Sequence, residues 1–445
     1  MGRADAGGPH RGPLLLLWGA TLLSGMGNSV ATVALPWLIL ERTGSPSAAG
    51  LVAAATALPL LLSSLLSGTL VDIAGRRRMA IGSDVLSAVS VAAIPLVDAT
   101  VGLSVPLLAG LAVLGALFDP AGVTARETML PAAALRAGWP LERVNGVHEA
   151  VWGVAFLVGP GLGGVLIAAV GAVGALWATA VGFALSSALL VLVRLPGAGR
   201  PPRHERPRGI VTSTVEGLRF VWSDRLLRAI CLLATLLVGV YLPIEGVILP
   251  VHFQGEGAPE ALGLVVMAMS AGGIAGALLY GALARRMRPR ATFVGALVGT
   301  ALAILAMAPL PPVPVMVVLG VLVGLLYGPV QPLTNLAMQT RTPERLRGRV
   351  VGLITSLGYA AGPVGYLLAG PLVGALGVRT AFVILALGLL AVALAAVPLR
   401  ALRELDGLGA PEGPPPTLVL PATRQGSPAP EGSVETRSEV PRPPR

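Results

Sequence analysis

Gly68-Thr-Leu-Val-Asp72-Ile-Ala-Gly75-Arg76-Arg77-Arg78 is the stretch on which the organisation of the chain turns. A long apolar run stops here and a triple arginine begins. On a helix, Gly68, Asp72 and Gly75 fall roughly on one face. Small residues there let a second helix approach closely. An acid at a helix C-terminal end opposes the helix dipole. Asp72 therefore needs a compensating partner: a neighbouring arginine or the N-terminus of another helix. Gly75 supplies the helix stop, and Arg76, Arg77 and Arg78 are expected to hold a loop in water. The alternative is an ordinary basic loop, in which the Gly-Asp-Gly spacing has no role.

Working outward, 54% of the residues are apolar, only 12% are charged, and the mean hydropathy is +0.79. A soluble chain carries about 25% charged residues. The composition predicts an all-α polytopic membrane protein with the lipid bilayer as its constant partner. The net charge of +10 comes from arginine alone, so it calls for no nucleic-acid partner. The one cysteine, Cys231, excludes an intrachain disulfide and reads as a small buried apolar residue. Arg3 and Arg11 precede an apolar run, as in a signal peptide, but the run from Leu14 is too long and leads into further spans. The abundance of Arg, Ala, Gly and Pro suggests a GC-rich bacterial genome, hence the plasma (inner) membrane of a bacterium.

At about 20 apolar residues per span, twelve are predicted: 14–40, 48–74, 80–97, 104–126, 144–169, 174–193, 227–250, 261–284, 291–308, 313–336, 349–373 and 380–399. With the N-terminus inside, only Arg42 and Arg379 fall outside. Arg76–Arg78, Arg126 to Arg143, Arg194 to Arg228, Arg285 to Arg290 and Arg341 to Arg349 fall on the cytoplasmic side, as do both termini. The predicted organisation is a cytoplasmic N-terminus over 1–13, a six-helix bundle over 14–193, a linker over 194–226, a second bundle over 227–399, and a disordered tail over 400–445. Within the linker, Val211, Val215, Leu218 and Trp222 recur at helical spacing, which predicts an amphipathic helix on the membrane surface.

The two halves repeat each other. Gly68 to Arg78 has a counterpart in Gly281-Ala-Leu-Ala-Arg-Arg-Met-Arg-Pro-Arg290, where Arg285 replaces Asp72 and Arg288 replaces Gly75. Leu-Gly-Ala-Leu-Phe-Asp-Pro120 has a counterpart in Val-Gly-Leu-Leu-Tyr-Gly-Pro329. Gly159-Pro-Gly-Leu-Gly-Gly164 has one in Gly362-Pro-Val-Gly-Tyr366. Three matches in order predict two pseudo-symmetric six-helix bundles around a midplane site opened alternately to each side.

With these residues quoted, the chain resembles the major facilitator superfamily over about residues 12–400. Gly68 to Arg78 is similar to its signature loop between helices 2 and 3. Gly159 to Gly164, with Gly146 upstream, resembles the helix 5 motif of drug/proton antiporters, with Ala155 where glycine is usual. Phe118-Asp-Pro-Ala and Thr342-Pro-Glu-Arg-Leu-Arg-Gly-Arg-Val-Val-Gly resemble the macrolide- and siderophore-exporting branch. Two features depart from the pattern. Residues 105–118 carry no arginine, and Gly27 is followed by Asn28 rather than an acid.

The resemblance implies a secondary active transporter that exports a lipophilic drug or natural product against protons, acting as a monomer without cofactor or metal. A metabolite symporter and a non-transporting receptor or scaffold are the alternatives. No enzyme is indicated: there is no lysine to complete a P-loop and no zinc spacing among four histidines. Gating falls to Gly68, Asp72, Gly75, Arg76 and Arg77, and to Gly159, Pro160, Gly163 and Gly164, with Gly272, Gly273 and Gly276 offering helix 8's small face to helix 5.

Acids within spans are costly and mark function. Glu245, with no charged sequence neighbour, is the first choice for a proton or cationic-substrate site, against a hydrated pore-mouth acid. Asp119 is the second, against a structural pair with Arg126 or Arg143. His148 and Glu149 follow; local packing or hydrogen bonding is the competing role for His148. Asp84 is assigned to a cytoplasmic network with Arg76–Arg78. On helices 1, 4, 7 and 10, Asn28, Thr32, Trp37, Phe118, Tyr241, Tyr327, Gln331 and Asn335 are cavity candidates, mostly apolar as a lipophilic ligand requires. Asp72→Asn is expected to lower transport without loss of folded protein. Efflux assays normalised to membrane expression test this, and an unchanged rate removes Asp72 from the gate.

Overall fold

In a bilayer the backbone satisfies its own polar groups as helices or as a closed barrel, and this chain forms helices. The computed structural model describes residues 10–195, 210–343 and 346–408, with no strand among them. The first half comprises α1 (Gly12–Thr43), α2 (Pro46–Ala74), α3 (Arg76–Thr100), α4 (Val105–Ala116), α5 (Asp119–Glu127), α6 (Leu130–Ala137) and α7 (Leu141–Leu192). After α8 (Ile210–Ser223) come α9 (Arg225–Pro243), a π-helical turn (Ile244–Ile248) and α10 (Leu249–Gly255). The remainder are α11 (Pro259–Leu283), α12 (Pro289–Met307), α13 (Val313–Tyr327), α14 (Val330–Arg341), α15 (Arg347–Leu376) and α16 (Val378–Ala396).

Among the described residues nine stretches are long and apolar enough to cross a membrane. α7 has 52 residues and would span about 78 Å if straight, over twice an apolar core of about 30 Å. It turns at Gly171 (φ 76°, ψ 168°) and supplies crossings 5 and 6. With α2 and α15 the described crossings reach twelve. Crossings 4 (α4–α6), 7 (α9–α10) and 10 (α13–α14) are composite. Each breaks beside a proline that cannot donate: Pro120, Pro243 and Pro329.

Local chemistry sets the ends. Gly44 (φ 61°) ends α1 and returns its N–H to the Leu40 carbonyl; Ser45 then caps α2 by accepting from the Ala48 N–H, and Pro46 opens it. Gly75 (φ 92°) stops α2 as expected. The arginines after it do not form a loop, since Arg76 already begins α3. Arg77 donates to the Leu190 carbonyl (3.2 Å) and to that of Val191, placing a cation on the C-terminal end of α7. The Gly68 and Asp72 side-chain positions, and that of Arg349 at the start of α15, lie outside the described residues.

The linker helix is present as α8; the proline-rich part before it, 196–209, lies outside the described residues, as does the tail from 409. Part of the expected tail is folded, however. Residues 400–407 form a 3₁₀ turn with Leu402 and Leu405 buried. Asp406 accepts from the Arg290 N–H (2.9 Å), and Glu404 pairs with Arg341. The charged residues of this segment conceal two apolar anchors one turn apart.

Glycine contacts join the two halves at the face opposite the arginines. In crossing 5, Gly159 and Gly163 turn toward α1: a Cβ at Gly159 would lie 2.3 Å from the Ser29 Cβ, and one at Gly163 would press on the Val30 backbone. Gly164 turns the other way, toward Pro259 and Gly263 of α11, and a Cβ at Gly263 would lie 2.5 Å from the Pro160 carbonyl oxygen. Crossing 11 repeats this. Gly365 packs on the Gly239 carbonyl of α9, and Gly370 packs on Pro46 and Ser47 of α2. The unusual Ala155 is matched by Gly25 across from it in α1. One expectation is corrected: Gly272 and Gly276 of α11 receive crossing 10, not crossing 5. They meet Val321 and Leu325, while Gly324 and Gly328 approach the α11 backbone in return.

A Cβ at Gly324 would fall 1.9 Å from the Met269 carbonyl oxygen, whereas one at Gly295 meets nothing within 4 Å. Gly324→Leu should therefore separate crossings 8 and 10 at a cost of about 1–3 kcal/mol or more, and Gly295→Leu should be neutral. Thermal unfolding of the two purified variants in one detergent provides the comparison; equal melting points would contradict the packing.

Candidate functional site

Four crossings of the first half share one buried ion pair. Arg126 Nη1 donates to both Asp84 oxygens at 2.9 and 3.0 Å, and the two side chains are 1% and 0% exposed. Ser24 of α1 accepts from Arg126 Nη2 and donates to Asp84 Oδ1, each at 3.1 Å. Ser186 of crossing 6 donates to Asp84 Oδ2 at 2.5 Å. Desolvating two charges is costly, and the hydroxyls help by satisfying lone pairs that the guanidinium leaves open. Asp84 is thus held by Arg126, Ser24 and Ser186 and not by the expected network with Arg76–Arg78. Crossing 4 runs to Ala137 rather than stopping at Arg126, so the arginine is carried into the bundle.

Asp119 stands apart from that pair. Its Oδ2 accepts from Asn28 Nδ2 at 2.8 Å, and its buried Oδ1 has no hydrogen-bond partner among the described residues. The expected ion pair with Arg126 or Arg143 does not form. Arg126 is taken by Asp84, and Arg143 lies over the Trp139 ring, 4.0 Å from its centroid. The residue after Gly27 does contribute to an acidic site, as an amide holding a carboxylate from crossing 4. The backbone around Asp119 is bonded to crossing 3: Ser87 donates to the Gly115 carbonyl near the end of α4, and Ser83 to the Phe118 carbonyl, which also accepts the Gly122 N–H at the start of α5. His148 is buried with neither ring nitrogen hydrogen-bonded among the described residues, so of its two local roles it packs and does not bond; Glu149 is exposed.

The second half contributes a different surface. Tyr241 of α9 and Tyr327 of α13 stack with centroids 6.1 Å apart and planes 3° from parallel. Gln331 donates to Asn335 (3.3 Å) one turn along α14. Glu245 lies in the π turn, closed by the Leu249 N–H on the Ile244 carbonyl between Pro243 and Pro250. No ion pair or hydrogen bond engages Glu245 among the described residues. Thr32 is exposed and bonds its own helix at the Ser29 carbonyl, and Phe118 is half-buried. Trp37 belongs to the buried face of α1. It is 7% exposed and packed in the core, because its face of α1 turns toward neighbouring helices.

Acids without an ion-pair partner and stacked aromatic rings lie on composite crossings among helices long and apolar enough to span a bilayer. The Major Facilitator Superfamily profile matches residues 17–365 and 246–430, and the chain belongs to that family. It is similar to the multidrug efflux pump Tap of Mycobacterium tuberculosis, 48% identical over 400 residues that cover 89% of this chain and 96% of that protein. It is also similar to macrolide efflux protein A of Streptococcus pyogenes, 24% identical with 88% and 96% covered. In fold it matches the crystal structure of the nucleoside transporter NupG with a TM-score of 0.69 at 12% identity, covering 87% of this chain and 98% of that one. The chain is a multi-pass transporter of the exporter branch that its motifs resemble.

Sequence reasoning missed Arg126, Ser24 and Ser186 as one site. The available signal was an acid, Asp84, in one span and an arginine, Arg126, at the edge of another; the two serines are among several hydroxyls in their helices. Asp84→Asn leaves the guanidinium buried without its counter-charge, a loss of about 3–5 kcal/mol. Thermal unfolding should register it, and replacing both partners by Asp84→Leu with Arg126→Met should recover much of the loss. A single variant as stable as wild type would refute the role of the pair.

Proposed function

We propose that this chain is a proton-driven exporter of a lipophilic drug or natural product, working by alternating access as a monomer with both termini in the cytoplasm. The observation that carries the efflux reading is its near-full-length similarity to proteins named as multidrug efflux pumps. Arginine asymmetry supports the orientation. The glycine contacts at the face opposite the arginines support a resting state sealed on the outer side.

Asp119 is the proposed proton carrier. Its partner is a neutral amide, so taking up a proton breaks no ion pair, whereas protonating Asp84 would leave Arg126 uncompensated. Asn28 reports the state of Asp119 to crossing 1, which faces the cavity with Thr32. Tyr241, Tyr327, Gln331 and Asn335 form the facing wall. Asp72 and Arg77 brace the cytoplasmic gate, and Gly159 to Gly164 form the seam on which the halves rock.

Reconstituted vesicles with an imposed pH gradient test the reading. Wild type should release protons in exchange for substrate, and Asp119→Asn should bind substrate yet move it no faster with the gradient than without. Co-directional flux would instead indicate a symporter, and absence of any flux a receptor. A fully gradient-driven Asp119→Asn protein would remove the proton from that site.

A further inference from the structure

Two of the chain's five tyrosines lie beside the turn that carries one acid without an ion-pair partner, and a third stacks on one of them. Tyr241 lies one helical turn before Glu245, on the same side of crossing 7. Tyr327 stacks on Tyr241. Tyr366 of α15 crosses crossing 7 at the residue after the acid: a Cβ on Gly246 would lie 2.8 Å from the Tyr366 Cε1 and 3.2 Å from its hydroxyl. A side chain at Gly246 would press on the ring, so glycine leaves it room. The π turn that carries Glu245 is an irregularity of the kind that concentrates at functional sites. No cation of the protein pairs with this acid among the described residues.

We propose that Glu245, Tyr241, Tyr327 and Tyr366 form a recognition site for hydrophobic organic cations, compounds that carry a quaternary or protonated tertiary centre on an apolar body. This deepens the transport reading by naming a substrate class, and it rests on that reading. The carboxylate supplies the counter-charge and the ring faces supply cation–π attraction. Beside the tyrosine pair, Leu237, Val238 and Leu389 line a narrow apolar cleft that would meet an apolar edge of such a ligand. Anions of the same shape meet a repulsive carboxylate. The two unpaired acids then divide the work: Asp119 takes the proton and Glu245 takes the cation.

Tetraphenylphosphonium and tetraphenylborate have one shape and opposite charge, and they make the test. Binding to purified full-length protein in nanodiscs, corrected against protein-free discs, should favour the phosphonium by about tenfold or more. Glu245→Gln should remove most of that preference with its melting point unchanged. Tyr366→Phe should retain phosphonium affinity and Tyr366→Leu should lose about threefold to tenfold, since the ring face and not the hydroxyl makes the contact. Equal affinity for both probes, or a folded Glu245→Gln protein that binds phosphonium as wild type does, would overturn the site. If the phosphonium fails to bind while a pH gradient still drives efflux of a neutral compound, the cation site falls and the transport reading stands. Loss of gradient-driven efflux of every compound would remove the transport reading itself.

Discussion

The close approach of backbone to backbone at two places, where glycine alone fits, is the constraint on which the arrangement of the halves depends. Gly164 meets Gly263 between crossings 5 and 8, and Gly370 meets Gly50 between crossings 11 and 2. The two contacts are equivalent under the internal repeat. In lipid the hydrophobic effect gives helices no reason to associate, so packing contacts and buried hydrogen bonds must hold them. A contact without Cβ atoms gives the shortest separation and the largest dispersion gain. It also leaves few side chains to interlock, so the helices can change angle without unpicking a polar network. Strong cohesion with weak angular restraint is what a seam between rocking bodies requires.

The interior of the first half is built on the opposite logic. Asp84 ties together crossings 1, 3, 4 and 6 through Ser24, Arg126 and Ser186. Moving any one of these helices alone would strand a buried charge. The pair therefore fixes the half as a unit, and the same reasoning disqualifies Asp84 as a working acid. Chemistry passes to carboxylates that carry no such obligation. Asp119 has an amide for a partner, and Glu245 has rings.

The sequence made the architecture legible because its signals were physical and repeated. Apolar length set the crossings, arginine asymmetry set the sides, and the Gly-Pro stretch recurring at 159 and 362 set the two-fold relation. A further repeat was readable and went unread. Pro46-Ser-Ala-Ala-Gly50-Leu-Val and Pro259-Glu-Ala-Leu-Gly263-Leu-Val open crossings 2 and 8 and carry the glycines of both seams. The side-chain pairs were less legible. Arg126 looked like the end of a span, since hydropathy sees a charge and stops, whereas the helix continues to Ala137 because its partner lies on crossing 3. Asp84 looked cytoplasmic for the same reason. Tyr366 carried no signal beyond its place in the repeat, and its importance comes from Gly246, which is close only in three dimensions. Hydropathy locates helices, but which polar residue satisfies which is decided by helix rotation, and no linear pattern records that.

The repeat also clarifies what its own failures mean. Asp72 has Arg285 as its counterpart, and the Asp84–Arg126 pair has no equivalent among the described residues of the second half. There crossings 8 and 10 instead lock through Gly272, Gly276, Gly324 and Gly328. Crossing 7 carries a π turn, while crossing 1, its repeat partner, is an uninterrupted helix of 32 residues. The halves share a scaffold and differ in how each is stiffened: the first by a charge that cannot be left unpaired, the second by backbone contact around irregular turns. A π turn closes its ladder one residue late and presents its side chains out of register with the rest of the helix. Glu245 sits in that turn, one helical turn after Tyr241 and next to Gly246, which leaves room for the Tyr366 ring. The asymmetry therefore lies at the positions where two halves of one transporter have to do different chemistry.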